Sequence, residues 1–371
     1  MKSLQISTQK ALREPQHRLQ ARLAGCDGPA AIVRPWLRAM YLGFCLWIHP
    51  TLHAQDPAFS QFFSSPLNIN PALTGNIISE WRVISNMRSQ WMGPVSPYQT
   101  ATVSFDGRPF KQKLPENSMV GIGAMLMTDR VMAGAIAGNF ASLNAAYNLK
   151  VAEGYNGEEH QLGIGIGGIF GHRRVDYTKL NFGEQFNGRI FDTNLPTGQT
   201  VLSQMRPYFS SSAGIIYSQI GDTYNLDVGY AQFHANRPRQ SFLEDDMQVL
   251  PVRHVAHVNF ERYLSEVLVL NTNAIYQRQS TASYLSVGAA LGYYLSSTED
   301  IILNAGLWYW SKNAVVPYVG YVYRNFQIGF SYDVTVSKFT YPRQRPRTWE
   351  LSLIMRGDRD RNRGVIACPW K

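Results

Sequence analysis

From Trp81 onward, apolar and polar residues alternate along the chain in a long series of short runs. In FQIGFSYDVTV, Phe326, Ile328, Phe330, Tyr332, Val334 and Val336 share one face, and Gln327, Gly329, Ser331, Asp333 and Thr335 the other. The run 285–295 sets Leu285, Val287, Leu291, Tyr293 and Leu295 against Ser286, Gly288, Ala290, Gly292 and Tyr294. A period of two describes a β-strand with different surroundings on its two sides. The pattern predicts fourteen strands, at 81–88, 98–105, 119–129, 139–149, 161–171, 208–217, 223–233, 253–263, 267–279, 283–295, 300–310, 314–323, 326–334 and 348–355. Most have about the 9 to 11 residues that a tilted strand needs to cross a hydrocarbon layer.

Two architectures compete for such a pattern. A soluble sandwich turns its apolar face inward and charges the other, whereas a membrane barrel turns its apolar face to lipid and lines its lumen with small or polar residues. Here the second face is mostly Gly, Ser, Asn and Thr. Charged residues are 16% of the chain, against about a quarter in soluble domains. Aromatic residues gather near strand ends, at Tyr293 and Tyr294, Trp308 to Trp310, Tyr321 and Tyr323, and Trp349, as expected for interfacial girdles. The chain therefore reads as all-β, a transmembrane outer-membrane β-barrel of about 14 antiparallel strands, at 81–356. Connection lengths agree with this. The longest, 172–207, 234–252 and 335–347, all follow odd-numbered strands, as on the outer rim of a barrel whose termini lie inside; 106–118 and 151–160 are long for the other rim.

The formal charge of +9 does not describe that body. Residues 1–54 carry seven Lys or Arg against Glu14 and Asp27, and the basic tail 357–371 four against Asp358 and Asp360; the rest is left with about +2. Nucleic-acid binding requires a clustered basic face, so nucleic acid is excluded as a partner. Residues 39–48, AMYLGFCLWI, follow Arg34 and Arg38 and precede Pro50 and Ala54, which predicts a signal peptide cleaved near Ala54–Gln55 behind a basic lead of 38 residues. No later run is apolar enough for a transmembrane helix. Of Cys26, Cys45 and Cys368 only the last survives cleavage, leaving no internal disulfide and no Cys-based metal site. The string LAGC, 23–26, lacks the apolar run that lipid attachment requires.

Candidate chemistry is sparse. Gly163, Gly165 and Gly168 match G-x-G-x-x-G, but alternation with Leu162, Ile164 and Ile166 predicts a strand rather than the turn into a helix that a dinucleotide needs. His254 and His257, three apart on a strand, point to opposite faces and cannot share a metal. A hydrolase would need a Ser or Asp beside one of the five retained histidines across strands. Asp129 with Arg130, and Asp333, read as ion pairs or lumen polarity. No catalytic residue, cofactor site or metal site emerges.

Ahead of the first strand stands QDPAFSQFFSSPLNINPALTG, 55–75, with no helical or strand period. Ser65-Pro66 and Asn70-Pro71 favour extended or turn backbone, and Phe59, Phe62 and Phe63 are unusual in a disordered leader. This block, with RSQW at 88–91, SFD at 104–106, GIGAMLMTDR at 121–130, FSYDVTVSKF at 330–339 and WELSLIM at 349–355, resembles the PorP/SprF family of the Bacteroidetes type IX secretion and gliding machinery. The resemblance covers roughly 55–356. It implies a non-enzymatic subunit of the cell outer membrane, in contact with outer-membrane lipid and other type IX components. It also implies binding or anchoring of an exported cargo protein, such as an adhesin, through a C-terminal sorting domain. Residues 55–80 are then a plug or partner segment, with Gln61, Phe62, Phe63, Asn68, Asn70 and Pro71 as candidate contacts. A passive transporter for small or apolar solutes and an outer-membrane lipid hydrolase are the alternatives.

Overall fold

The computed structural model describes residues 56–357 apart from 94–95, 111–112, 156, 193, 199–204, 241–247, 297–300, 312 and 337–345. The expected signal peptide, and the tail beyond Gly357, lie outside the described residues. All described residues belong to one compact unit, His53–Lys371.

Strands β1 (Trp81–Met92), β2 (Tyr98–Gly107), β3 (Ser118–Val131), β4 (Ile136–Glu153), β5 (Glu159–Val175), β6 (Tyr208–Ile220) and β7 (Tyr224–Phe233) form one half of the sheet. The other half is β8 (Arg253–Ser265), β9 (Leu268–Gln279), β10 (Ala282–Ser296), β11 (Ile301–Trp310), β12 (Ala314–Tyr323), β13 (Phe326–Thr335) and β14 (Arg347–Arg356). Each pairs antiparallel with its sequence neighbours, and β1 closes on β14 from Arg82↔Arg356 to Met92↔Arg347. Closure removes both sheet edges, the only way a sheet can satisfy its backbone in lipid. No helix of the described residues is long and apolar enough to cross a membrane; the crossing is by strands.

The alternation resolves into two walls. Outward side chains such as Leu126, Leu143, Ile166 and Val319 are 58–70% exposed, which in water would be an untenable apolar surface and in lipid is ordinary. Inward positions are buried Asn, Ser, Thr, Gln and paired charges, with Gly between them. The girdle expectation needs correcting at three residues. Tyr294, Trp308 and Trp310 are buried on the inward face, where Trp308 packs on Phe63 and Tyr318. In a strand of period two, adjacent aromatics cannot all face lipid.

Strands β4 and β5 are longer than the alternation indicates, pairing down to Glu153↔Glu159. There Lys150 reaches Glu153 at 3.1 Å and Glu159 at 3.2 Å, so the ladder continues into water after the apolar period has ended.

Candidate functional site

Residues 56–80, interrupted by Pro66 and Pro71, cannot run as one helix and fold as three short turns, 3-10 at Phe62–Ser64, α-helical at Pro66–Ile69 and 3-10 at Pro71–Leu73. Pro66 and Pro71 open the second and third, where a missing N–H costs nothing. Asn70 ends one turn and caps the next, its Oδ1 accepting from Ala72 N at 2.9 Å. These turns are held by the barrel, whose inward face they meet on several sides.

At one rim, Asp56 lies among residues that border the long connections. Its N–H donates to Gln279 Oε1 at 2.9 Å, and its Oδ2 accepts from His234 Nε2 at 2.6 Å, with Arg253 Nε 3.4 Å away. Burial opposes ionisation of Asp56, but the charges of Arg253, His234 and Arg173 and the His234 hydrogen bond outweigh it. Its carboxyl is held well below the usual carboxylate range. His234 Nδ1 meets Ser210 Oγ at 2.7 Å. Arg253 stacks over Phe233 at 4.1 Å and donates to Asn68 O at 3.1 Å.

Against β13 and β14, Glu350 accepts both the Ser60 N–H at 2.8 Å and the Gln61 N–H at 3.1 Å. Ser60 Oγ donates to Asp333, which also pairs with Arg88 at 2.8 Å. Arg88 in turn donates to Ala58 O at 2.6 Å and lies over Trp310. The Gln61 carboxamide makes three hydrogen bonds, donating to Ser331 Oγ and Glu350 O at 3.0 Å each and accepting from Ser352 Oγ at 2.7 Å.

Midway down the lumen, Asn70 Nδ2 donates to Ile215 O at 2.9 Å and His257 Nε2 at 3.1 Å. Pro71 and Ala72 press on Gly165, Asn70 on Gly214, and Thr74 O on Gly121, each at a spot where a Cβ would overlap the segment. Near the opposite rim, Gly75 N donates to Asp106 Oδ2 at 2.9 Å, and Arg82 grips the same carboxylate at 3.0 Å. The segment therefore threads the lumen from the long-connection rim to the rim where β1 begins.

All six sequence-derived candidates lie in this lumen. Gln61, Asn68 and Asn70 make the hydrogen bonds described; Phe62 is buried, Phe63 stacks on Trp308 at 4.8 Å, and Pro71 lies over Gly165. The wall residues that hold the segment, Arg88, His234, Arg253, Asp333 and Glu350, were not singled out as its partners, because register alone brings them round. Asp333 does take part in a lumen ion pair. Gly165 of the G-x-G-x-x-G string lies in β5 and faces the segment. His254 meets Tyr230 OH on the outer wall at 2.7 Å and His257 faces in, so the two do point apart. Among the described residues, no group of three or more His, Cys, Asp or Glu is placed to hold a metal ion.

A closed fourteen-stranded barrel with an apolar outer wall and a lumen threaded by its own N-terminal segment is an outer-membrane barrel protein. The chain belongs to the type IX secretion system membrane protein PorP/SprF family, whose family model matches residues 51–355. No curated protein matches it. Among solved structures it is similar to the toluene transporter TbuX of Ralstonia pickettii, at 9% identity and TM-score 0.42 over 78% of this chain and 92% of that one. It is also similar to a FadL homologue of Pseudomonas aeruginosa, at 10% identity and TM-score 0.44 over 77% and 91%. A third is the translocator domain of autotransporter NalP from Neisseria meningitidis, at 10% and 0.31 over 88% and 96%. At these values the likenesses say nothing of ligand or mechanism.

Proposed function

We propose that the chain is a non-enzymatic barrel subunit of type IX secretion that binds or anchors a specific exported protein through that protein's C-terminal sorting domain, while its own N-terminal segment acts as a lumen plug. The observation that carries this reading is the pinning of one short segment at both rims, by Asp56 to His234 and Arg253 and by Gly75 to Asp106. A lumen filled this way favours contact through the rims and long connections over passage of solute. One space beside the segment, near Phe63, Asn76 and Asn273, is about 60 Å³, room for a few waters.

The residue types of a nucleophilic triad do meet in Ser210, His234 and Asp56. Ser210 is fully buried, Asp56 belongs to the segment itself, and Arg253 shares its charge. The chain of bonds is better suited to tethering the segment than to attacking an ester.

Cross-linking in intact outer membranes followed by capture of the full-length tagged barrel tests the reading. The expected result is one exported protein recovered in quantity, and lost when its sorting domain is deleted. Recovery of no exported protein, or recovery indifferent to the sorting domain, contradicts it.

A further inference from the structure

The outward wall of β1 to β5 is graded in polarity from the long-connection rim inward. Near the long-connection rim, Arg130, Ala137 and Arg174 are direct cross-strand neighbours on the outer face of β3, β4 and β5. The two arginines are exposed and form no ion pair among the described residues. Two strand spacings place their stems about 10 Å apart. One level deeper, Thr128, Asn139 and His172 form the next row; deeper again, Leu126, Ala141 and Phe170 follow, with Val103 beside Leu126. Ala141 is the small member of that row, and these two levels line an open groove of about 570 Å³.

On β10 to β13 the outward row Val287, Tyr309, Val315 and Val334 has no cation, and on neighbouring β9 the exposed Arg278 pairs across to Ser283 rather than to a second arginine. The nearby carboxylates do not neutralise the arginine pair. Asp129 points inward to Thr100 Oγ1 at 2.7 Å, and Asp176 is engaged by Thr178 and by Lys179 at 3.7 Å.

Two exposed guanidinium groups above hydrogen-bonding side chains, above an apolar groove, match the layers of one kind of molecule. We propose that this wall is a binding site for a phosphorylated membrane lipid of the leaflet at the long-connection rim. In this site the phosphate lies between Arg130 and Arg174 and an acyl chain lies along Leu126, Ala141 and Phe170. Guanidinium groups favour phosphate through paired N–H donors, and a groove floored by alanine admits an acyl chain. The charge complementarity sets this occupant apart from a second protein, which would meet the same groove without needing the arginine row.

The test uses the full-length barrel in zwitterionic detergent, mixed with lipid A, a bisphosphorylated and multiply acylated lipid, and read by native mass spectrometry. Correct folding of each variant is checked by heat-modifiable gel migration. Arg130→Ala with Arg174→Ala is expected to weaken lipid A binding about tenfold, allowing for screening of exposed charge. Ala141→Trp, which fills the groove and leaves both arginines, is expected to weaken it as well. Dephosphorylated lipid is expected to bind poorly, and inorganic phosphate not to displace the lipid. Equal binding by the double variant, equal binding of dephosphorylated lipid, undiminished binding by Ala141→Trp, or displacement by phosphate alone would each overturn the assignment.

Discussion

Ala72 sits with its backbone nitrogen against Gly165 of β5, at a point where even a methyl group would overlap it. The glycine is in regular strand, so what it supplies is the absence of a side chain and a close approach of two backbones. Gly165→Val is expected to leave the barrel ladder intact and lift the segment away. Overpacking of this kind costs about 1–3 kcal/mol, so amide exchange over residues 66–75 is expected to quicken by roughly tenfold to a hundredfold. Unchanged exchange in a folded variant would mean that the segment is not seated there.

Glu350 gives a second handle, at the other side of the lumen. Its carboxylate accepts two buried backbone N–H groups, from Ser60 and Gln61. Glu350→Ala strands both, at about 1–3 kcal/mol for each unsatisfied donor, while Glu350→Gln keeps one acceptor oxygen and is expected to cost less. Hydrogen exchange of the Ser60 and Gln61 amides, with the thermal midpoint of each variant, distinguishes the two.

Acid is expected to loosen the segment at its Asp56 end. The docked carboxyl has a depressed affinity for protons, so docking is favoured while Asp56 is ionised both docked and free, above the ordinary carboxylate pKa of about 3.9. Below that, the free form protonates first, and the advantage is lost as pH falls toward the docked value. Hydrogen exchange over residues 57–61, taken relative to the intrinsic rate at each pH, is expected to quicken as pH falls below about 4. In Asp56→Asn that acid-dependent step disappears, and exchange is already raised at neutral pH.

Ser210→Ala separates a tether from a nucleophile. Loss of the hydroxyl beside His234 removes one buried hydrogen bond, worth about 0.5–1.5 kcal/mol, and is expected to lower stability by that much. Hydrolysis of a p-nitrophenyl ester by the purified barrel is expected to be at background before and after the change; a rate that disappears with Ser210 would restore the hydrolase reading.

The barrel was legible in the sequence because period two reports the two sides of a strand wherever those sides differ, as in Phe326–Thr335. Extents were less legible where both sides are wet: β4 runs on past Leu149 through Lys150 and Glu153, which carry no alternation. The segment itself stood out through its prolines, amides and phenylalanines. Its partners did not, since Glu350 meets Ser60 across 290 residues of chain, and only the register of fourteen strands around a closed ring decides which side chains face it. Trp308 shows the same limit from the other side. Its residue type suggested an interfacial girdle, while its parity in β11 turned it inward onto Phe63.

The central claim, that this barrel's lumen is filled by its own N-terminal segment, is tested most directly by single-channel recording of the full-length protein in a planar bilayer. No steady open conductance is expected from the wild type, and opening events are expected from Gly165→Val. A steady, ohmic, porin-like conductance from the unmodified barrel would contradict the account.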